Sequence, residues 1–340
     1  MKAIIKPAYV KERLKLGEAL PLSTPYRLTI SPIQLCNFKC FYCTHSLDRE
    51  EVEKTGFKFS TMKYEEFVKL ADQFREFPEK IKLIVFSGMG EPLLNKDFPK
   101  MVKYLKDNDL ADRVEVYTNA SLLNEEITHK LVDAGLDSLK ISIQGLDSDK
   151  YKEVCGFDLD YDKFMNNIKY FYENKKQCKM YIKIIDAMLK EGEDKKFYEM
   201  FGNICDEIFI EHLSDCQPLT GNCEGKVDAG FTMYNDVAKF SKICPLLFYT
   251  LYVDVECNIY PCVTLGLPAR FAVDNIKNRS IAEIWNGEEI RQLRIEHLKG
   301  NKCKQDVCAT CGNMTAMYHE EDDLDEYSEI LLKKYSNKLC

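Results

Sequence analysis

At 340 residues the chain could be one large domain or two, and its 45% hydrophobic and 30% charged residues are ordinary for a soluble globular protein. A formal net charge of −8, with no long run of Lys and Arg, argues against a phosphate-tracking surface and against nucleic acid as a partner. No stretch approaches the ~18 uninterrupted apolar residues of a membrane span. The N-terminal segment lacks the apolar core and cleavage site of a signal peptide, so the cytoplasm is the expected location and no membrane partner is expected.

In chain order, 26–33 (YRLTISPI) reads as a strand ending directly before a cysteine cluster. Residues 62–76 carry a helical stripe of Phe67, Leu70, Ala71 and Phe74, and 82–86 (KLIVF) is a short buried strand before a Gly-containing turn. A helix around Phe98, Met101, Val102 and Leu105 precedes strand 114–117. Asn124 caps a helix carrying Ile127 and Leu131, which Gly135 closes. Strand 139–143, a helix with Phe164, Ile168 and Phe171, strand 180–185, a helix near 194–204 and strand 207–213 complete six β-then-α steps. That alternation implies an α/β fold with a parallel sheet or partial barrel, whose ligands sit at the carboxyl ends of the strands. Residues 214–243 read as a connector and 249–263 as a hairpin. Ser280 to Glu283 form a capping box opening a helix with Ile284, Trp285 and Leu293. The acidic run 320–326 reads as a solvated face before a terminal helix.

Fifteen cysteines, an odd number, suit metal binding in a reducing compartment better than a disulfide scaffold. Cys36, Cys40 and Cys43 follow the first strand as CxxxCxxC. Three thiolates on one loop can take three corners of a cubane iron–sulfur cluster and leave one iron free. Structural zinc would want a fourth ligand, for which His45 is the local candidate.

With Ser87-Gly88-Met89-Gly90-Glu91-Pro92 after the second strand, this motif resembles the radical S-adenosylmethionine (SAM) superfamily. The resemblance implies a partial (β/α)6 TIM-like barrel over 26–213, with a [4Fe–4S] cluster on Cys36, Cys40 and Cys43 whose open iron is chelated by SAM. It places Tyr42 near the adenine, the backbone of Gly88, Met89 and Gly90 at the methionine moiety, and Glu91 at its ammonium. Asn119 and Ser142 match positions that touch the ribose or carboxylate, and Lys183 and Asp186 are weaker candidates. Taken singly, each polar residue is as well explained by an ordinary strand-end hydrogen bond.

Cys244, Cys262, Cys308 and Cys311 suit either zinc or a fully ligated cluster. The stretch 244–312 resembles the SPASM/twitch region of the same superfamily, which implies one auxiliary [4Fe–4S] cluster on these four residues. Only Cys257 and Cys303 are left over there, too few for a second. Cys257 stands where the hairpin usually has Gly, so the turn is expected to shift to Asn258. Residues 1–25 and 313–340 match nothing in the family and read as an extension and a tail.

The resemblance implies that the reduced cluster cleaves SAM, and that the resulting 5′-deoxyadenosyl radical abstracts a substrate hydrogen. With the auxiliary cluster as electron acceptor, an alcohol carbon of a sugar, cyclitol or similar polyol would become a carbonyl. Glu211 and His212 are the candidate bases, each equally able to be an ordinary salt-bridging residue. An epimerase would instead use Cys216 or Cys223 as hydrogen donor. Modification of a ribosomal peptide is a third reading, lowered by the shortness of the segment before the first strand, and a non-catalytic metal scaffold a fourth. A small-molecule substrate and a reductant such as flavodoxin or ferredoxin are the expected partners.

Overall fold

The computed structural model describes residues 1–8, 13–214, 227, 228 and 230–337. Among them, ten strands form one sheet: β1 (Ile4–Ile5), β2 (Arg27–Ile30), β3 (Ile81–Phe86), β4 (Ala111–Thr118), β5 (Ser138–Ile143), β6 (Lys179–Ile185), β7 (Glu207–Glu211), β8 (Thr250–Val253), β9 (Asn258–Tyr260) and β10 (Asp274–Asn275). The spatial order is β1-β7-β6-β5-β4-β3-β2-β8-β9-β10. β2 to β7 are parallel, each beside its successor in sequence. Helices Tyr64–Asp72, Phe98–Asp107, Glu125–Asp133, Ser148–Cys155, Tyr161–Asn174 and Glu193–Phe201 connect them. This is the parallel arrangement that the alternation implies and the partial (β/α)6 barrel that the resemblance implies.

Side chains alternate across each strand, so each strand sorts its residues onto two faces. Leu28, Ile30, Ile84, Phe86, Val114, Val116, Leu139, Ile141, Ile182 and Ile184 are all but sealed from water beneath Phe67, Leu70, Met101, Leu105, Leu131 and Phe171 of the helices. Each such burial is worth about 1.5–3 kcal/mol, which fixes the register. The opposite, concave face therefore receives Arg27, Thr29, Glu115, Tyr117, Lys140, Ser142, Tyr181, Lys183 and Glu211. Lys140 stands opposite Tyr181, and Ser142 opposite Lys183. Parallel sheets usually bury apolar residues on both faces, so a charged concave face marks space kept for polar work.

Helix ends follow the local signals. The Asn124 side chain accepts from the Ile127 N–H at 2.9 Å, a cap worth about 1 kcal/mol, and Gly135 closes that helix at φ +83°. Both arms of the Ser280–Glu283 capping box form.

Several expectations need correction. The first strand stops at Ile30, and the helix expected over 62–76 is α-helical only over Tyr64–Asp72, tightening to a 3₁₀ turn over Gln73–Glu76. The hairpin turn does not shift to Asn258: Cys257 itself takes the left-handed conformation at φ +64°, while Asn258 starts β9. The Asp254 carboxylate explains this, accepting from the Asn258 N–H (2.9 Å) and side chain (2.9 Å) and holding Asn258 in the strand. The acidic run is not simply a solvated face. Asp322 is 4% exposed and ion-paired to Arg13, and Asp325 accepts from the backbone N–H groups of Lys242 and Ile243. The extension and tail are likewise structural. β1 lengthens the sheet beside β7, and Leu16, Leu20, Leu324, Leu331 and Tyr335 share a second core with the C-terminal region.

Candidate functional site

The segment between β2 and Cys36 is clasped by the glycine-containing turn after β3. A Cβ on Gly90 would lie 2.2 Å from the Ile33 carbonyl oxygen, and one on Gly88 would lie 2.5 Å from Ser31 Oγ. Only glycine permits that approach at Gly90. The Glu91 N–H then donates to the Leu35 carbonyl at 2.9 Å. The sequence reading set these glycines against a ligand; in the folded chain they also set the position of the cysteine loop.

Glu91, 2% exposed, accepts from Thr118 Oγ1 (2.6 Å), the Asn119 N–H (2.7 Å) and the Leu93 N–H (3.0 Å), knotting the ends of β3 and β4 together. Burial outweighs those bonds and lifts its pKa to about 7.

The far side of the cysteine loop rests on helix Ser148–Cys155, where the Lys39 and Phe41 N–H groups donate to the carbonyls of Cys155 (2.9 Å) and Val154 (3.0 Å). Cys36 Sγ accepts from the Phe38 N–H at 3.4 Å, with Asn119 Nδ2 3.9 Å away. Burial first, then the neighbouring Glu91, Cys43 and Cys40, push the Cys36 thiol pKa upward. Cys40 is raised by a hydrogen bond with Cys155 and by burial. Tyr42 donates its hydroxyl to Gln144 at 2.8 Å. His45 does not join the thiols. Its Nε2 meets the Met89 carbonyl at 2.7 Å and its ring lies between Phe57 and Phe59. The Met89 side chain is buried against Val52 and Phe57, leaving only its backbone for a ligand.

These groups fit the iron–sulfur cluster and SAM. The Cys36 and Cys40 thiols and the Glu91 carboxyl, held toward their neutral forms chiefly by burial and, at Cys40, by the hydrogen bond with Cys155, suit a positively charged partner. Cys36, Cys40 and Cys43 could hold the cluster, and Asn119, Ser142 and Lys183 stand at or near the concave face, where SAM could lie. Asp186 does not. Its carboxylate meets His212 Nδ1 at 2.6 Å and accepts from the Leu213 N–H at 3.1 Å. Strand alternation turns that pair outward, against the Asp228 carbonyl and Phe231. Of the two candidate bases, Glu211 alone is on the concave face, 2% exposed and ion-paired to Lys183. Cys216 and Cys223 lie outside the described residues.

Cys244, Cys262, Cys308 and Cys311 converge. Burial and then Cys262, Cys311 and Cys308 push up the Cys244 thiol. Burial lifts Cys262 to about 11, and burial with Cys262 and Cys311 lifts Cys308 to about 12. Among the described residues no three His, Cys, Asp or Glu groups are close enough for a single metal ion. Cys257 is buried elsewhere, near Glu66, Asp254 and Lys277, and Cys303 is exposed.

The sequence reading missed Cys155 and Gln144, which brace the cysteine loop from behind. Gln144 stands inside the ISIQG segment, but Cys155 belongs to no spacing motif and only the packing of its helix reveals it.

Residues 30–199 match the Radical SAM superfamily and 244–312 the SPASM iron-sulfur cluster-binding domain. The chain is 40% identical over 129 residues to a Methanococcus maripaludis protein named "Probable GTP 3′,8-cyclase", covering 38% of this chain and 39% of that one. It is 30% identical over 199 residues to an uncharacterized Methanocaldococcus jannaschii protein, covering 58% and 61%. The match thus spans less than two thirds of the length of these relatives. Among solved structures, BtrN in complex with AdoMet and 2-DOIA superposes with a TM-score of 0.54 at 19% identity, over 87% of this chain and 96% of that one. Streptococcus suis SuiB bound to precursor peptide SuiA gives 0.62 at 18%, over 89% and 73%. These show a shared fold. No helix among the described residues is long and apolar enough to cross a membrane.

Proposed function

Because the chain belongs to the radical SAM superfamily and carries a SPASM domain, it is a radical SAM enzyme using S-adenosylmethionine and [4Fe–4S] clusters, and we propose that it oxidises an alcohol carbon of a sugar, cyclitol or similar polyol. A cluster with SAM, held by Cys36, Cys40 and Cys43, would supply the radical chemistry that removes a hydrogen atom from the substrate, and an auxiliary cluster, held by Cys244, Cys262, Cys308 and Cys311, would supply the acceptor for the remaining electron. The chain's own part is to hold the substrate on the concave face and to remove one proton.

The observation that carries this reading is the Lys183–Glu211 pair. A buried carboxylate at the carboxyl end of β7, on the concave face, is held by a lysine of the neighbouring strand. Glu211 can accept a hydroxyl proton as the carbon above it is oxidised, and Lys183 fixes its orientation. An epimerase needs a hydrogen-donating thiol there. Of the described cysteines outside the two sets, Cys155, Cys178, Cys205 and Cys257 are sealed in the main core and Cys303 is exposed, while the candidate donors Cys216 and Cys223 lie outside the described residues, so the experiment below decides between the two readings. The reducing cytoplasm, with flavodoxin or ferredoxin as electron donor, is the setting this chemistry asks for.

The test is anaerobic incubation of the reconstituted enzyme with SAM, dithionite and candidate polyols. Formation of 5′-deoxyadenosine together with loss of two hydrogens from the substrate is expected. Unchanged mass with deuterium uptake from solvent would replace the reading by epimerisation. Glu211→Gln should slow product formation about 100-fold, the ordinary value of a positioned base, while 5′-deoxyadenosine still forms.

A further inference from the structure

The turn that follows β4 carries a closed ring of side-chain hydrogen bonds beside the cysteine loop. Asn119 Nδ2 donates to Asn37 Oδ1 at 3.0 Å, Asn37 Nδ2 donates to Ser121 Oγ at 2.8 Å, and Ser121 Oγ donates to Asn119 Oδ1 at 2.7 Å. Asn37 is the residue next to Cys36, so the ring ties the turn to the first ligand of the cysteine loop. The same Asn119 Nδ2 stands 3.9 Å from Cys36 Sγ, which also accepts from the Phe38 N–H at 3.4 Å.

The backbone decides which end of the Asn119 amide meets the sulfur. The Ser121 N–H can only donate, and it meets one amide atom at 2.9 Å, so that atom is the oxygen. The nitrogen is therefore left to Asn37 and Cys36. Each of the two Nδ2 hydrogens and each oxygen lone pair then has a partner inside the chain, and a contact from Asn119 to SAM would have to break one of these bonds. The main chain is held just as firmly. The Asn119 N–H donates to Glu91 at 2.7 Å and the Ala120 N–H to Thr118 Oγ1 at 2.9 Å. Ala120, at φ +58°, takes the left-handed conformation that a residue with a Cβ disfavours. Strain of that kind persists only where the surroundings over-determine it, and it clusters at functional sites. Here it turns Ser121 back over Asn119 and closes the ring.

We propose that Asn119 is a positioning residue for the SAM-linked cluster: held by Ser121 and Asn37, it aims an N–H at the Cys36 sulfur and raises the reduction potential of the cluster that Cys36 helps to hold. The physical reason is charge. The cluster gains one negative charge when its electron donor reduces it, and N–H groups directed at a ligand sulfur stabilise that charge. No bond forms or breaks at Asn119, whose amide stays neutral throughout. The inference concerns the cluster site that the family establishes and stands independently of the polyol reading.

A redox titration of the anaerobically reconstituted, SAM-free enzyme, followed by electron paramagnetic resonance, tests this without turnover. The signal of this cluster is the one that changes when SAM is added afterwards. Asn119→Leu, similar in size and without the N–H, should shift the reduction equilibrium about ten-fold toward the oxidised form, which is about 59 mV for one electron. Ser121→Ala keeps the amide but removes one of its anchors. It should shift the potential the same way by less, and it gives the reading if Asn119→Leu takes up no iron. A potential that stays at the wild-type value or rises, in Asn119→Leu or in Ser121→Ala where that variant alone loads, overturns the proposal. Weaker SAM binding with an unmoved potential would make Asn119 a ligand contact and overturns it equally. Failure of both variants to take up the cluster would make the ring structural, and the proposal would fall with it.

Discussion

Cys36, Cys40 and Cys43 come from a single loop beside a deep sheet, whereas Cys244, Cys262, Cys308 and Cys311 are gathered from segments spread over the C-terminal region. The first set is rigid because of what surrounds it: Gly90 and Glu91 clasp it from one side, and the end of helix Ser148–Cys155 supports it from the other. It offers three thiols and leaves one corner for a ligand. The second set offers four thiols, of which Cys244, Cys262 and Cys308 are raised by burial first and then by neighbouring thiols, and in the reading proposed above they would close a cluster that exchanges only electrons. An open site on a stiff scaffold and a closed site that staples its own scaffold are different uses of the same side chain.

The sharpest way to break this contrast is to remove one thiol from each set. Cys43→Ala should lower 5′-deoxyadenosine formation by at least ~10³-fold, because the hard chemistry belongs to the cofactor held there, yet leave the thermal midpoint nearly unchanged. Cys308→Ala should do the reverse. Its iron content should drop by about half and its thermal midpoint should fall, since cluster binding there is coupled to folding. SAM cleavage should persist while product formation drops roughly 100-fold. Equal behaviour of the two variants would erase the distinction.

Gly90→Ala probes the clasp without touching a ligand. Its Cβ would meet the Ile33 carbonyl oxygen at 2.2 Å, so the loop must move. Overpacking of this kind costs about 1–3 kcal/mol, and SAM affinity should weaken about ten-fold in a binding titration if the loop shifts by a fraction of an ångström. Wild-type affinity would mean that the clasp is not needed.

The smallest effect expected concerns pH. His297, on helix Glu288–Leu298, is 1% exposed, neither ring nitrogen has a partner among the described residues, and burial pushes its pKa from 6.5 down to about 4. Between those values the unfolded chain binds the extra proton and the folded chain does not. Stability conferred by neutral His297 is therefore complete above 6.5 and lost as pH falls toward 4, by up to about 1.4 kcal/mol per pH unit. Urea midpoints should fall on acidification, and His297→Leu should flatten that slope. A slope that survives the substitution would assign it to other groups.

Much of the molecule was legible before folding. The six strand–helix steps were readable because period two and period 3.6 are local properties, and the first cysteine set because its three ligands lie on one loop. The spacing of Cys308 and Cys311 was equally plain, and the convergence with Cys244 and Cys262 followed only from resemblance. The error at Cys257 and Asn258 arose because left-handed preference is a weak local bias, and the buried Asp254 carboxylate, bonding Asn258, overrode it.

What sequence alone determined is the identity of the chemistry, since metal ligands and close-approach glycines are specified residue by residue. Only the tertiary structure decided which polar residues stand on the concave face. That depends on strand register, and a shift of one residue would have exchanged Glu211 for His212 on the concave face. That Arg27 meets no carboxylate among the described residues is likewise invisible in the chain, because the carboxylates that pair with its neighbours come from strands and a tail far away in sequence.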